Sequence, residues 1–467
     1  MPIIKTLTKA TKLEKEKFTI PKSVQDAIPI QRIWPDGIFQ VGSRFSKTFS
    51  FTDINYSIAS KEDKTAMFLD YSELLNALDS GASAKITIHN RRIDKAQFEK
   101  SLLLPMREDG LDHFRREYNE MLLSKVTGTN NSVVQDRYIT ITVAKRNIDE
   151  ARTYFSRVGT DLINHLSQLS SVGRELDAAA RLQLFRDFFK GSEPAAFAFD
   201  LREHMKKGHS FKDWLCPDSM DFQKDHFRID ERWGRVLYLQ DYATYIKDSM
   251  IAELCDMDRS LMLSIDVLPV PTDEAVREIQ NKLLGVETNA ANWQRKQNAA
   301  NNFSAVLPYD MEMQRKETTE MLNDLTSRDQ RMMFGLVTMV HLAYSREQLD
   351  SDTETILTAA RKHLCQMSVL RWQQKDGLDT VLPYGLRKIQ ALRTLTTEST
   401  AVLIPLQGPG NHAGGRHLLR AERRFRQHDC GRPPEAPQRQ QLPVRRQRFR
   451  QILLRQGRNR QHRPVHR

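Results

Sequence analysis

The chain predicts an α+β fold: ferredoxin-like βαββαβ elements, a long helical insertion and a disordered basic tail. Three observations predict it. Short segments such as Lys85–His89 and Tyr138–Val143 alternate apolar and polar residues, and stretches of helical periodicity separate them. In the second half the order is strand, helix, strand, strand, helix, strand once Thr272–Asp329 is set aside, which is the split βαβ pattern. Beyond residue 406 apolar periodicity stops.

The elements follow in chain order. Residues 1–36 are polar and punctuated by lysine and proline, and read as a loosely held arm. A first α+β domain spans 37–226. Phe49–Ser57 reads as a strand, and Ala66–Leu78 as a helix with Leu74, Leu75 and Leu78 on one stripe. Lys85–His89 is a strand with Ile86 and Ile88 inward. Leu111–Val126 is a helix with Leu111, Phe114, Tyr118 and Leu122 on its apolar face. Tyr138–Val143 alternates as a strand. A long helix follows, capped by Asn147 and striped by Ala151, Tyr154, Phe155, Val158 and Leu162. Ala178–Phe189 is a further amphipathic helix.

A second α+β domain spans 227–390. Arg235–Gln240 reads as a strand, Tyr242–Cys255 as a helix, and Leu261–Leu268 as a strand stopped by Pro269 and Pro271. Thr272–Asp329 is the polar helical insertion. Met332–Ala343 is a strand, Glu347–His363 a helix and Gln366–Trp372 a last strand. The first domain is a looser version of the same order, a weak hint of internal duplication. Gly377–Leu386 is a turn-rich connector. Residues 391–405 read as a connector with a strand at Thr394–Ile404, and 406–467 as the tail.

At 467 residues the chain has ample length for buried cores. Its net charge is +12, but Gln407–Arg467 holds sixteen arginines, no lysine and three acidic residues. Residues 1–406 are therefore near −1, and only the tail is basic. Cys216, Cys255, Cys365 and Cys430 form no C-x-x-C pair, which excludes a zinc ribbon or redox motif and fits a reducing compartment. Met1–Lys17 lacks the apolar core of a signal peptide, and the longest apolar stretch, Met332–Tyr344 with His341 inside it, is too short to span a bilayer. A cytoplasmic protein, with peripheral membrane association open, is expected.

Candidate sites are weak. Gly408, Pro409, Gly410, Gly414 and Gly415 lack the spacing and the Lys-Ser/Thr of a phosphate loop. His204, His209 and His226 lie near Cys216, Asp218 and Asp221 at no metal-ligand spacing. Asp225–Arg232 reads as a charged loop before a strand. Asp109, Asp112 and His113 suggest an acid/base set, but neighbouring helical residues point apart. Met332, Met333 and Met339 read as core filler, and Trp214, Trp233, Trp293 and Trp372 as anchors of cores or subunit contacts. No catalytic, cofactor-binding or metal-ligating residue is assigned.

The tail has two readings. A basic arm would bind nucleic acid through counterion release. An out-of-frame segment would be rich in arginine because its CGN codons arise from GC-rich sequence. Back-translation with a one-nucleotide shift lets Leu406–Leu419 read FKVQEIMQAGGIYY, and Val444–Leu453 read FGVSGSGKS, a Walker A phosphate loop. The second reading makes the chain a truncation before that motif.

Four in-frame phrases carry a resemblance: FTDINYSIASKEDK at Phe51–Lys64, MFLDYSELLNAL at Met67–Leu78, GLDTVLPYGL at Gly377–Leu386 and TLTTESTAVLIP at Thr394–Pro405. Over roughly residues 38–405 the chain resembles the amino-terminal half of TraE/TrsE-type ATPases, the VirB class of conjugative type IV secretion. The resemblance implies an α+β domain that docks to channel components at the inner face of the membrane and self-associates. It also implies a following RecA-like domain that uses ATP and magnesium to power transfer and pilus assembly. Lys388 is the last lysine, and the 467 residues contain no Walker A motif, so none of the family's catalytic residues or its ATP and magnesium ligands maps onto this chain. The expectation is a docking and scaffold part without turnover. The alternative is a non-enzymatic α+β module with a nucleic-acid-binding arm.

Overall fold

Two sheet-forming runs of the chain meet edge to edge, and the meeting strands are those with the clearest alternation. The computed structural model describes residues 21–403 except 55, 57–58, 93–102, 108–109, 129–132, 192–199, 201–202, 204–205, 244–245, 247–248 and 303–305. The first run comprises β1 (Arg32–Ile33), β2 (Phe39–Val41), β3 (Arg44–Phe51), β4 (Ala82–Arg92), β5 (Val133–Ala144) and β6 (Gly173–Glu175). The second comprises β7 (Met220–Phe222), β8 (Phe227–Ile229), β9 (Arg232–Asp241), β10 (Ser260–Pro269), β11 (Met332–Ala343) and β12 (Gln366–Val369). A last strand, β13 (Arg393–Thr396), pairs with the start of β11.

The pairing establishes the duplication that the sequence only hinted at. In the first run the strands lie β6-β3-β5-β4, and in the second β10-β11-β9-β12. Both are the antiparallel split βαβ order, and β4 pairs antiparallel with β10 to make one continuous sheet. The extensions match too: β2 forms a hairpin on the start of β3 and β8 on the start of β9, while β6 and β12 pair with the ends of those same strands. The two repeats are thus related across the β4–β10 seam by an approximate two-fold.

The helices are α1 (Val24–Ala27), α2 (Lys61–Asn76), α3 (Asp112–Gly128), α4 (Ile148–Gln168), α5 (Ala178–Lys190), α6 (Phe211–Leu215) and α7 (Ser249–Cys255). They continue as α8 (Thr272–Ala299), α9 (Tyr309–Ser327), α10 (Arg346–Lys362), α11 (Gln374–Val381) and α12 (Thr397–Val402). The crossover helices α2, α4, α7 and α10 cover one sheet face. Three of them start at side-chain caps: Ser60 accepts from the Asp63 N–H at 3.1 Å, Asn147 from Glu150 at 2.9 Å and Ser345 from Gln348 at 3.1 Å. Ile86, Ile88, Ile139, Ile141, Leu263 and Ile265 point into this layer, and each such buried side chain contributes about 1.5–3 kcal/mol. The opposite face is covered by α5, α6, α11 and the segment after it, around Phe185, Trp214, Val236 and Tyr384. In both repeats the link between the second and third strands is enlarged, by α3 in the first and by the α8–α9 hairpin in the second.

Several expectations change. The strand expected at Phe49–Ser57 is Arg44–Phe51, because Gly42 turns the chain into it at φ +58°. Ile28 and Ile30 are buried, so the end of the expected arm belongs to the second layer. Leu111 and Phe114 are exposed, so the stripe on α3 does not face the core; the side chain of Leu122 lies outside the described residues. The expected connector begins with a helix: α11 is buried along its second half because it caps β9 and β11. Thr394–Ile404 is a strand only to Thr396, whose side chain accepts the Ser399 N–H and starts α12. The expected strand Gln366–Trp372 stops at Val369. The tail expectation, from residue 406, lies outside the described residues.

Two buried histidines make the fold acid-sensitive. Burial pushes His89 down to about 4, with Asp136 opposing and Arg91 adding to the shift. Burial pushes His341 down to about 3, helped by Arg235 and Arg259. Both folded values lie below the unfolded value, so stability is full above pH ~6.5 and falls as pH drops toward 4. Urea unfolding should show a loss of roughly 2–3 kcal/mol between pH 7.5 and 5.5. A His89→Gln/His341→Gln double variant should flatten that slope.

Candidate functional site

The seam exposes a problem of surface chemistry. On the crossover-helix face it presents isoleucines, but on the other face β4 presents Lys85 and Thr87, and β10 presents Asp266 and Ser264 directly opposite them. Thr87 Oγ1 and Ser264 Oγ are 3.0 Å apart, and Thr48 and Thr140 make a similar pair at 2.9 Å. Lys85 Nζ meets Asp266 Oδ2 at 2.9 Å with both side chains almost wholly buried. An apolar helix laid over this strip would strand these groups without partners.

The strip is instead covered by backbone. The last residues of α11 and the turn and coil after them, from Thr380 to Ile389, form a strap whose carbonyls accept from the sheet and from α5. Thr380 O accepts from Lys85 Nζ, and Val381 O from Ser264 Oγ at 2.5 Å. Pro383 O accepts from Arg181 Nη2 at 3.0 Å, and Tyr384 O from Ser46 Oγ at 3.1 Å. Proline at 383 brings no N–H that would need a partner. Gly385 sits at φ +84°, where a Cβ would lie 2.5 Å from Thr142 Oγ1, so no other residue fits as well. The Tyr384 ring stacks on Phe185 at 4.7 Å. At the start of the strap, Asp379 Oδ2 accepts from Lys375 Nζ at 2.5 Å and from Lys388 Nζ at 3.0 Å.

Arg181 of α5 ties strap and first repeat together. It is fully buried, donates to Gly37 O, Ser46 O and Ser46 Oγ besides Pro383 O, and lies 4.1 Å over the Phe39 ring. Burial lowers its guanidinium to about 9. Four oxygen acceptors and an aromatic face stand where a carboxylate would ordinarily be.

At one end of the seam the strip opens into a cleft of about 390 Å3. Arg44, Lys85, Arg387, Asp266 and Glu274 are its charged lining, and Gly385 contributes strap backbone. Burial pushes the Asp266 carboxyl up, and Lys85 and then Arg387 pull against it. The arrangement can hold charge away from water. It presents no nucleophile with a general base beside it.

The residues singled out from sequence fall elsewhere. Asp225 Oδ1 takes the His226 ring at 2.8 Å, and its other oxygen faces Arg235 at 3.5 Å and Arg346 at 3.6 Å. The hydrogen bond from His226 is the first cause holding Asp225 below the usual carboxylate range. This cluster fastens β9 to α10 beneath Trp233. Asp112 pairs with Arg115 at 2.6 Å, and the His113 ring lies against Phe114; Asp109 and His204 lie outside the described residues. Among the described residues no three His, Cys, Asp or Glu gather as metal ligands. Met332, Met333 and Met339 are buried, as is Trp214 under Arg186, whereas Trp372 is 77 % exposed and anchors no core. Trp233 and Trp293 are half-buried. The glycines at 408, 410, 414 and 415, with Pro409, lie outside the described residues.

Sequence reasoning missed Lys85, Asp266 and Arg181. Lys85-Ile-Thr-Ile-His reads as a strand with one wet face, and nothing local says that a distant strap covers it. No helix among the described residues is long and apolar enough to cross a membrane. No protein-family model matches the chain, and no curated protein sequence matches it.

The Lys85–Asp266 pair should behave as a buried ion pair. Lys85→Met alone leaves a buried carboxylate and should cost about 3–5 kcal/mol in urea unfolding. Lys85→Met/Asp266→Leu should recover most of that loss.

Proposed function

We propose that the chain is a docking and scaffold module of a VirB-class conjugative-transfer ATPase, working at the inner face of the cytoplasmic membrane against channel components and neighbouring copies. One observation carries the reading. Two phrases that resemble the family, Met67–Leu78 and Thr394–Leu403, are distant in sequence but pack together on the crossover-helix face, while Gly377–Leu386 covers the other face. Gly377–Leu386 supplies the end of α11 and the strap, while Thr394–Leu403 supplies β13 and α12. Met67–Leu78 lies largely in α2, against which α12 packs. Thr397 Oγ1 donates to Asn76 Oδ1 at 2.6 Å across that contact, and Ala401 and Leu403 join Leu74 and Leu75 in one core. The likeness thus follows the elements that bind the second repeat back onto the first, which is what a rigid docking module requires.

ATP chemistry is not assigned to this chain, since its 467 residues contain no G-x-x-x-x-G-K-S/T. The tagged 467-residue protein should retain inner-face channel components of a conjugative apparatus in a pull-down and hydrolyse no ATP above background. Turnover, or failure to retain any channel component, overturns the reading. Salt-sensitive DNA binding that vanishes on deletion of 407–467 would support the basic-arm module in its place.

A further inference from the structure

The fourth strands of the two repeats, β6 and β12, occupy matching places but are finished differently. Each pairs with the end of its repeat's first strand, β3 or β9. β6 is Gly-Arg-Glu, with Arg174 and Glu175 exposed, and charge of that kind discourages further pairing at an edge. β12 is Gln-Met-Ser-Val, with neither charge nor proline. Leu370 N–H donates to Val236 O at 3.1 Å. The alternation of an antiparallel ladder therefore turns the backbone groups of Ser368 toward β9 and those of Met367 and Val369 outward. Among the described residues no strand besides β9 pairs with β12.

The residues flanking the two strands sharpen the contrast. α4 and α10 end alike: Ser171 N–H donates to Leu166 O at 2.9 Å, and Cys365 N–H to Ala360 O at 3.1 Å. The residue before each is left-handed, Ser170 at φ +59° and Leu364 at φ +56°. Leu364 is 84 % exposed. After the strands, Ala178 N–H donates to Pro35 O and Trp372 N–H to Lys224 O, each in the turn of its repeat's first hairpin. Ala178 is small and buried, whereas Trp372 is left-handed at φ +62° and 77 % exposed, with Lys224 Nζ 5.8 Å over its ring. The other non-glycine residues at positive φ among the described residues are Ser170, Asp230, Asn301 and Asp329, all polar. Glycine is the ordinary choice in this conformation, and neither Leu364 nor Trp372 gains burial in return. The second repeat thus holds two strained, exposed apolar side chains at the two ends of an open strand.

We propose that β12 pairs antiparallel with β12 of a second copy of the chain, about a two-fold axis at Ser368, with Leu364 and Trp372 as reciprocal anchors. Leu364 and Trp372 lie four residues either side of Ser368. Pairing centred there sets Met367 opposite the copy's Val369 on both sides of the axis, which uses the outward backbone groups of both strands. It also brings each Leu364 to the level of the copy's Trp372, so one patch is complementary to itself, as an isologous contact requires. The charges agree with this direction. Arg371, exposed after the strand, arrives beside the end where exposed Asp241 faces Gln366 on β9. Lys362 and His363 near that end are already held by Glu253, each at 2.8 Å, while Arg361, exposed on the last turn of α10, opposes the attraction in part. This pairing rests on the self-association in the scaffold reading and gives it a surface.

Sedimentation velocity of the full chain should show a monomer–dimer equilibrium. Leu364→Gly and Trp372→Gly each relieve a left-handed backbone. Each should leave thermal unfolding at dilution, where the chain is monomeric, at or above the wild-type temperature, and should weaken the dimer about tenfold or more, as loss of an anchor does. Ser368→Cys in a Cys430→Ser background should form a disulfide-linked dimer under mild oxidation, because directly opposed residues of this kind have Cα atoms about 4.5 Å apart. Gln366→Cys in that background should not, and Cys216, Cys255 and Cys365 are buried. Should a cysteine variant fail to fold, the glycine variants decide. A chain that stays monomeric, a dimer that both glycine variants leave unchanged, or cross-linking at 366 in place of 368 overturns the proposal. So does capture of an extended segment of a different protein at Ser368→Cys in place of the second copy. A monomer that still retains channel components sinks this pairing and leaves the scaffold reading standing, and a β12-linked dimer that retains none does the reverse.

Discussion

The antiparallel pairing of β4 with β10 is the constraint from which the rest of the architecture follows. Each repeat taken alone would leave its second strand as a sheet edge, a row of unpaired N–H and C=O groups open to further pairing. Joining the two edges satisfies both. It also places the seam at the middle of a wide sheet, where both faces must be covered. The crossover helices cover one face by the logic of the split βαβ unit. The other face has no cover within that unit, so further chain must supply it: α5 after the first repeat, α11 and the strap after the second.

The chemistry of the seam decides what kind of cover works. Opposite residues on the strap side are Lys85 with Asp266 and Thr87 with Ser264, all buried. The last carbonyls of a helix have no partner within it, and those of the turn that follows are open as well. The strap meets the strip with the carbonyls of Thr380, Val381, Pro383 and Tyr384, and the one tight approach falls on Gly385. Arg181 extends the same solution into the first repeat. The acid sensitivity of the buried histidines belongs to the same design, since His89 lies on β4 facing α5, under cover that the seam made necessary.

Legibility from sequence divides along the same line. Met332–Ala343, the helix after Asn147 and the helical pair within Thr272–Asp329 were readable from local sequence: an apolar run with charged flanks in the first, an apolar stripe and an Asn cap in the second, and long polar helical composition in the third. The strand order of the second repeat followed from element order alone. The seam, strap and cleft were not readable. Lys85 and Asp266 are far apart in the chain, and each sits on a strand face whose alternation looks solvated. Gly377–Leu386 read as a turn because Gly, Pro and Tyr-Gly are turn chemistry; Pro383 and Tyr384 do form a turn, but nothing nearby showed that α11 runs to Val381 or that the turn covers the seam. The stripe on α3 failed for the opposite reason: its periodicity is sound, but periodicity cannot say whether a face meets this chain.

A polar seam looks wasteful beside an apolar one, since a buried ion pair seldom adds stability over well-packed hydrophobes. Its benefit is register. Side chains in a strand alternate, so a one-residue slip of β10 against β4 would put every β10 group on the wrong face. Asp266 and Ser264 would then meet the layer of Ile86, Ile139 and Ile141, and Leu263 and Ile265 would meet the strap carbonyls. Both mismatches bury unsatisfied groups at a cost of several kcal/mol, whereas slipped isoleucine against isoleucine would cost little. Only one alignment sets Lys85 against Asp266 and Thr87 against Ser264 while offering both pairs to the strap. The register of the seam therefore fixes the path of the strap, and the strap fixes where β13 and α12 return to the first repeat.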